Sequence, residues 1–318
     1  MWTCSCGKLN RDHTNRCSTC GSVPPSTSGQ LPSMGPKIVV NKPVVIVQGS
    51  SGARAARPYP ALSDLSATEF VTLARMGFYP HGLVLGASVY DAGWGGIQLG
   101  TQEVTSLSSA MRQARHLAVE RMKQQAEAVG AEGIVGVRLQ VEHHTWHGGH
   151  NVARFLAIGT AIGFDADRAP LELRDSPSLT VGGRPFTSGL SGQDFVLLLR
   201  AGYRPIAVAI GNCVYHLGFT LTNVFSGNTE ITSYTQAFMD ARELAMERMT
   251  QDLMKEVTQP EDHPVGIVGM SVDEEEHGAG SKVVEYMAVG TAIAPLAAND
   301  PRRGPTLPEP QVVVPLDV

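Results

Sequence analysis

Four of the five cysteines fall within the first twenty residues, at Cys4, Cys6, Cys17 and Cys20. Two close pairs separated by a short loop can set four thiolates at the corners of a tetrahedron. Zinc favours that donor set, and a site closed by four protein ligands keeps no position open for water, so its role is structural. Gly7 and Gly21 each follow a cysteine, where a tight knuckle needs a permissive backbone. A segment this short has no apolar core of its own, so metal binding would supply its folding energy. A second metal-capable set lies far downstream: Glu142-His143-His144-Thr145-Trp146-His147-Gly148-Gly149-His150. His143, His144, His147 and His150 could hold a transition metal if a hairpin brought its two arms together. The fifth cysteine, Cys213, stands alone in the apolar run Ala209-Ile210-Gly211-Asn212-Cys213-Val214 and reads as a small buried hydrophobe.

Trp2, the two cysteine pairs and Asn10 between them resemble the Ran-binding-protein type of zinc finger and related bacterial zinc ribbons. The first pair departs from that pattern, being Cys-x-Cys where the finger has a longer gap. The resemblance implies a Zn2+-stabilised recognition module for a protein partner or, on weaker grounds, single-stranded RNA.

Other chemistry finds little support in the sequence. It has no Gly-rich phosphate loop followed by a helix, no nucleophile elbow, and no histidine–carboxylate pair at helical metal spacing. Gly93-Trp94-Gly95-Gly96 is too short for dinucleotide binding and lies between the wrong elements. The expectation is a non-enzymatic protein. A net charge of -5 disfavours a general binder of nucleic acid or of anionic membranes, since those surfaces need a basic stripe. No apolar run approaches the roughly 20 residues of a membrane helix. The first residues lack the basic and apolar regions of a signal peptide, so a cytoplasmic location is expected. In that reducing setting, a tight cysteine cluster reads as a metal site and not as disulfides.

The elements that must carry these residues show up as an internal duplication. Phe70, Met76-Gly77-Phe78, Gly86 and Val89-Tyr90 match Phe195, Ala201-Gly202-Tyr203, Gly211 and Val214-Tyr215 at a constant offset of 125. Ala114-Arg115 and Glu120-Arg121-Met122 match Ala241-Arg242 and Glu247-Arg248-Met249. Gly133-Ile134-Val135-Gly136 and Gly159-Thr160-Ala161-Ile162 match Gly266-Ile267-Val268-Gly269 and Gly290-Thr291-Ala292-Ile293. The expected organisation is a zinc ribbon over 1–22, a flexible linker with short strands over 23–59, repeat 1 over 60–166, and a linker over 167–184. Repeat 2 follows over 185–296, then a Pro-rich tail over 297–318.

Each repeat opens on a short helix, with Ser66 and Ser191 as N-caps and Gly77 and Gly202 as stops. Strands are expected over Gly82 to Asp91 and Ile206 to Leu217. Long helices follow, the first from about Ser109 to Val129. Their apolar stripes are Met111, Ala114, Ala118, Met122 and Ala126, and Phe238, Ala241, Ala245, Met249 and Leu253. Two more strands close each repeat, so the fold class is α+β, two tandem β-α-β-β domains with an antiparallel sheet and the long helix on one face. Sheets this small leave edges open, which oligomerisation would cover.

The run Ala126-Glu127-Ala128-Val129-Gly130-Ala131, the strand Ile134-Val135-Gly136-Val137 and the closing Gly159-Thr160-Ala161 resemble the YbjQ-like family of heavy-metal-binding domains. That resemblance implies a dodecin-like fold and ring-shaped pentamers. The expected function is therefore an oligomeric scaffold or interaction protein whose zinc ribbon recognises a partner. The alternative is a metal-handling protein using the His-rich tip or the ring interior. Against the alternative, the equivalent tip of repeat 2 reads Asp273-Glu274-Glu275-Glu276-His277 and is acidic rather than imidazole-rich.

Overall fold

The computed structural model describes residues 2–3, 9–10, 61–91, 101–146, 150–217, 232–257, 259–276 and 283–305. The chain divides into two compact units, residues 1–44 and 45–318. In the first, β1 (Trp2–Thr3) pairs antiparallel with β2 (Leu9–Asn10), setting Trp2 opposite Asn10 and Thr3 opposite Leu9.

In the second unit, repeat 1 runs α1 (Ala67–Ala74), β3 (Phe78–Asp91), β4 (Gln102–Glu103), α2 (Thr105–Ala128), β5 (Gly133–Trp146) and β6 (His150–Phe164). After β7 (Phe186–Thr187), repeat 2 runs α3 (Gly192–Arg200), β8 (Tyr203–His216), α4 (Thr232–Glu256), β9 (Gly266–Glu276) and β10 (Val283–Pro295). The short helices begin at the expected caps. Ser66 Oγ accepts from Glu69 N at 3.2 Å while Glu69 Oε2 accepts from Ser66 N at 2.8 Å, a reciprocal capping box. Ser191 Oγ accepts from Asp194 N at 3.1 Å. Gly77 and Gly202 follow these helices at φ of 79° and 87°, a left-handed turn that side chains with a Cβ resist.

Both sheets have the long helix on one face. The order is β3-β6-β5-β7 in one and β4-β8-β10-β9 in the other, and every pairing is antiparallel except β5 with β7. The predicted stripe of α2 is buried in full: Met111, Ala114, Ala118, Met122 and Ala126 all lie in the core. On α4 the stripe is shifted by one residue at its start. Ala237 is buried, while Phe238 is half-buried and packs its ring 6.0 Å from that of Tyr286. Gly86 and Gly211 explain why the two sequences align there. A Cβ on either would lie 1.9 Å from a helix carbonyl, that of Ala118 or of Ala245, so only glycine lets the helix sit this close to the strand.

One expected element bound is corrected. Helix α2 begins at Thr105 and not near Ser109, because tertiary bonds start it: Val104 N donates to Val214 O at 2.8 Å, and Ser108 Oγ accepts from Val214 N at 2.9 Å. Residues 167–184 are packed, with Leu173 and Leu179 buried and Arg184 bonded to Glu120 and Glu127 of α2, each at 2.6 Å. The start of the Pro-rich tail is also packed. Arg302 is 2% exposed and forms a two-pronged pair with Asp300 at 2.6 and 2.9 Å.

Candidate functional site

The sequence points to two metal-ligating sets, and the structure locates them unequally. Cys4, Cys6, Cys17 and Cys20 lie outside the described residues; only the β1–β2 pairing beside the first two is described. A donor set of four thiols in two close pairs fits zinc chemically. The His-rich tip falls on the β5–β6 hairpin, where the backbone sets His143 opposite Ala153, His144 opposite Val152 and Trp146 opposite His150. His147 lies outside the described residues. Among the described residues, no group of three or more His, Cys, Asp or Glu side chains could hold a metal ion, and no helix is long and apolar enough to cross a membrane. Cys213 is fully buried, and burial, joined by the neighbouring Glu103 and Glu285 carboxylates, pushes its thiol up to about 12. It is unreactive by construction.

The most constructed polar site joins the two repeats. The outward-facing residues of β8 (Val208, Ile210, Asn212 and Val214) are all buried, and Val208, Ile210 and Val214 share a core with Met111 and Val119 of α2 and Val137 of β5. At its centre Arg115 Nη1 donates to Glu285 Oε1 at 2.6 Å; both side chains are at most 2% exposed. Asn212 Nδ2 donates to the same Oε1 at 2.9 Å and to Ser108 O at 3.2 Å. The Arg115 guanidinium also lies 5.0 Å from the centre of the Phe155 ring. At the rim, Arg248 Nη1 donates to Glu103 Oε1 at 2.6 Å and to Asn212 O at 3.1 Å. Burial would raise the Glu103 pKa, but the bond and charge of Arg248, together with bonds from Ser108 and Thr105, outweigh it and hold the carboxyl below its ordinary value. Between the helices, Asp252 Oδ2 lies 3.2 Å from His116 Nε2 and 3.6 Å from Arg112 Nε.

Backbone pairing reinforces this junction in both directions. Strand β4 of repeat 1 adds to β8 of repeat 2, with Gln102 opposite His216 and Glu103 opposite Tyr215. Strand β7, at the entry to repeat 2, adds to β5 of repeat 1. None of Ser108, Arg115, Asn212 and Glu285 was singled out as a site from the sequence. The available signal was a lone polar residue inside an apolar strand: Asn212 between Ile210 and Val214, and Glu285 between Val284 and Tyr286.

This is the architecture of two tandem β-α-β-β units locked by a buried charge, and a family model described as "Putative heavy-metal-binding" (YbjQ type) matches residues 93–165 within the first unit. The chain is 42% identical over 60 residues to UPF0145 protein BH0643 of Halalkalibacterium halodurans, covering 19% of this chain and 53% of that protein. Over most of its length it belongs to the family of the encapsulin nanocompartment protein Rv1762c of Mycobacterium tuberculosis. The two are 38% identical over 261 residues, which is 80% of this chain and 91% of that relative.

Proposed function

We propose that this protein is a non-catalytic, self-assembling scaffold component of a protein compartment, carrying a zinc-stabilised N-terminal module that recognises a protein partner. The observation that carries the reading is the junction between the repeats. Its buried side chains join two copies of one domain face to edge. The Mycobacterium tuberculosis relative, an encapsulin nanocompartment protein that matches across both repeats, supports a compartment setting. Zinc in Cys4, Cys6, Cys17 and Cys20 supplies no step of a reaction; it would fold the recognition tip. Light scattering on the full chain tests the assembly, with a mass several times that of one chain expected. A monomer at micromolar concentration overturns the reading. Elemental analysis tests the tip: a single zinc per chain, lost from the Cys17→Ser/Cys20→Ser variant.

One observation favours a second reading. The heavy-metal-binding family model covers His143, His144, His147 and His150. A metal-handling role requires a second tightly held metal that disappears in the His143→Ala/His147→Ala variant while the zinc stays.

A further inference from the structure

The duplication leaves two surfaces that match the internal junction half for half. In repeat 2, the outward residues Val208, Ile210 and Val214 of β8 are at most 6% exposed, covered by repeat 1. Their counterparts in β3, at the offset of 125, are Leu83, Leu85 and Val89, which are 38%, 43% and 59% exposed. On the opposite side of the junction, Val137 of repeat 1 is 6% exposed, but its counterpart Met270 in β9 is 51% exposed. Val272 of β9 and Met239 of α4 extend that apolar patch. Among the described residues, repeat 1 thus has an uncovered sheet face, and repeat 2 an uncovered helix-and-edge face.

The strand edges repeat the pattern. Residues 186–190 run along β5 through Phe186 N to Glu132 O, Ser188 N to Ile134 O, Val137 N to Ser188 O and Gly136 N to Leu190 O, at 2.9 to 3.1 Å. The same segment is seated on its own sheet by Gly189 N donating to Thr291 Oγ1 at 2.9 Å. The counterpart segment, residues 61–65, is seated identically on sheet 1: Asp64 N donates to Thr160 Oγ1 at 3.2 Å, and Asp64 and Thr160 align with Gly189 and Thr291. Among the described residues this segment has no strand beside it, and Leu62 is 73% exposed. The matching edge, β9, pairs only with β10 among the described residues, and Val265 at its start is 59% exposed.

We propose that a second copy of this chain docks head to tail on the first: its residues 61–65 add in parallel to the open edge of β9, and its Leu83, Leu85 and Val89 cover Met239, Met270 and Val272. This rests on the self-assembly reading and names its interface. The contact is heterologous, two different surfaces meeting, so it propagates until it closes on itself. It is also weaker than the internal junction. Glu285 is replaced by Arg154, which already pairs with Glu142 at 2.7 Å, so Arg242, the counterpart of Arg115, meets no lone carboxylate there.

Two full-length variants test the proposal, both changing only exposed residues: Leu83→Asp/Leu85→Asp on the sheet face and Met270→Asp/Val272→Asp on the edge face. Each is expected to be a monomer by light scattering, with the circular dichroism of the parent. Mixed in equal amounts they are expected to form a dimer and nothing larger, because one intact sheet face meets one intact edge face; an unfolded variant could not give that dimer. If the parent assembles and either variant still assembles alone, or the mixture stays monomeric, the interface is wrong while the scaffold reading stands. A monomeric parent overturns both.

Discussion

Replacing Glu285 with alanine strips the buried Arg115 guanidinium of its carboxylate without touching either helix. Both side chains are at most 2% exposed, and the bond between them is 2.6 Å. Removing one partner from such a pair leaves an uncompensated buried charge, which costs about 3–5 kcal/mol. Phe155, 5.0 Å from the guanidinium, returns only part of this, on the order of 1 kcal/mol. Asn212 also loses an acceptor but keeps Ser108 O. Urea unfolding followed by circular dichroism should show the loss as a lower midpoint at a similar slope. Glu142→Ala supplies the internal control, because its pair with Arg154 is about half exposed and should be worth roughly 1 kcal/mol or less. The double change Arg115→Met/Glu285→Leu should restore the parent stability or exceed it, since an apolar pair of similar volume avoids the desolvation of two ions. If Glu285→Ala costs no more than Glu142→Ala, the repeats do not bury this charge between them, and the junction described above is wrong.

Three further outcomes are expected. Gly86→Ala should destabilise by roughly 1–3 kcal/mol or more, measured in the same urea experiment, because its Cβ would lie 1.9 Å from Ala118 O and push α2 off the sheet. Acid should weaken the junction: burial would raise Glu103 and Asp252, but Arg248, Ser108 and Thr105 around the first and Lys255, Arg112 and His116 around the second outweigh it and hold both below their ordinary values. Their stabilisation is therefore complete above the ordinary carboxylate value of about 4 and lost as pH falls through the lower folded values, so Glu103→Gln should flatten the stability profile in that window and not at neutral pH. Cys213, pushed up to about 12 and fully buried, should resist a thiol reagent in the folded protein at pH 8 and react after denaturation.

The parts of the fold that were legible in the sequence are those with a period or a repeat. Met111, Ala114, Ala118, Met122 and Ala126 recur at helical spacing and all reach the core. Gly86 and Gly211 aligned before their shared cause, the close helix carbonyl, was visible. The strand exchange was not legible, because Gln102–Glu103 and Phe186–Thr187 are too short to show alternation. The start of α2 was misplaced because its anchor, Val214, is more than a hundred residues away. The polar lock was hidden for a related reason. Arg115 looks like an ordinary solvated helix residue until a sheet from the other repeat closes over it, and the signals of the partner surface, Asn212 and Glu285 as lone polar residues inside apolar strands, do not by themselves point to Arg115.

Duplication also imposes a rule of parity. A closed assembly made of whole chains always contains an even number of β-α-β-β units, because each chain contributes them two at a time. In a single ring that takes in both units of every chain, a membership of five is therefore out of reach. Tight internal junctions would then alternate around the circle with looser ones between chains, so the assembly would come apart only at every second seam.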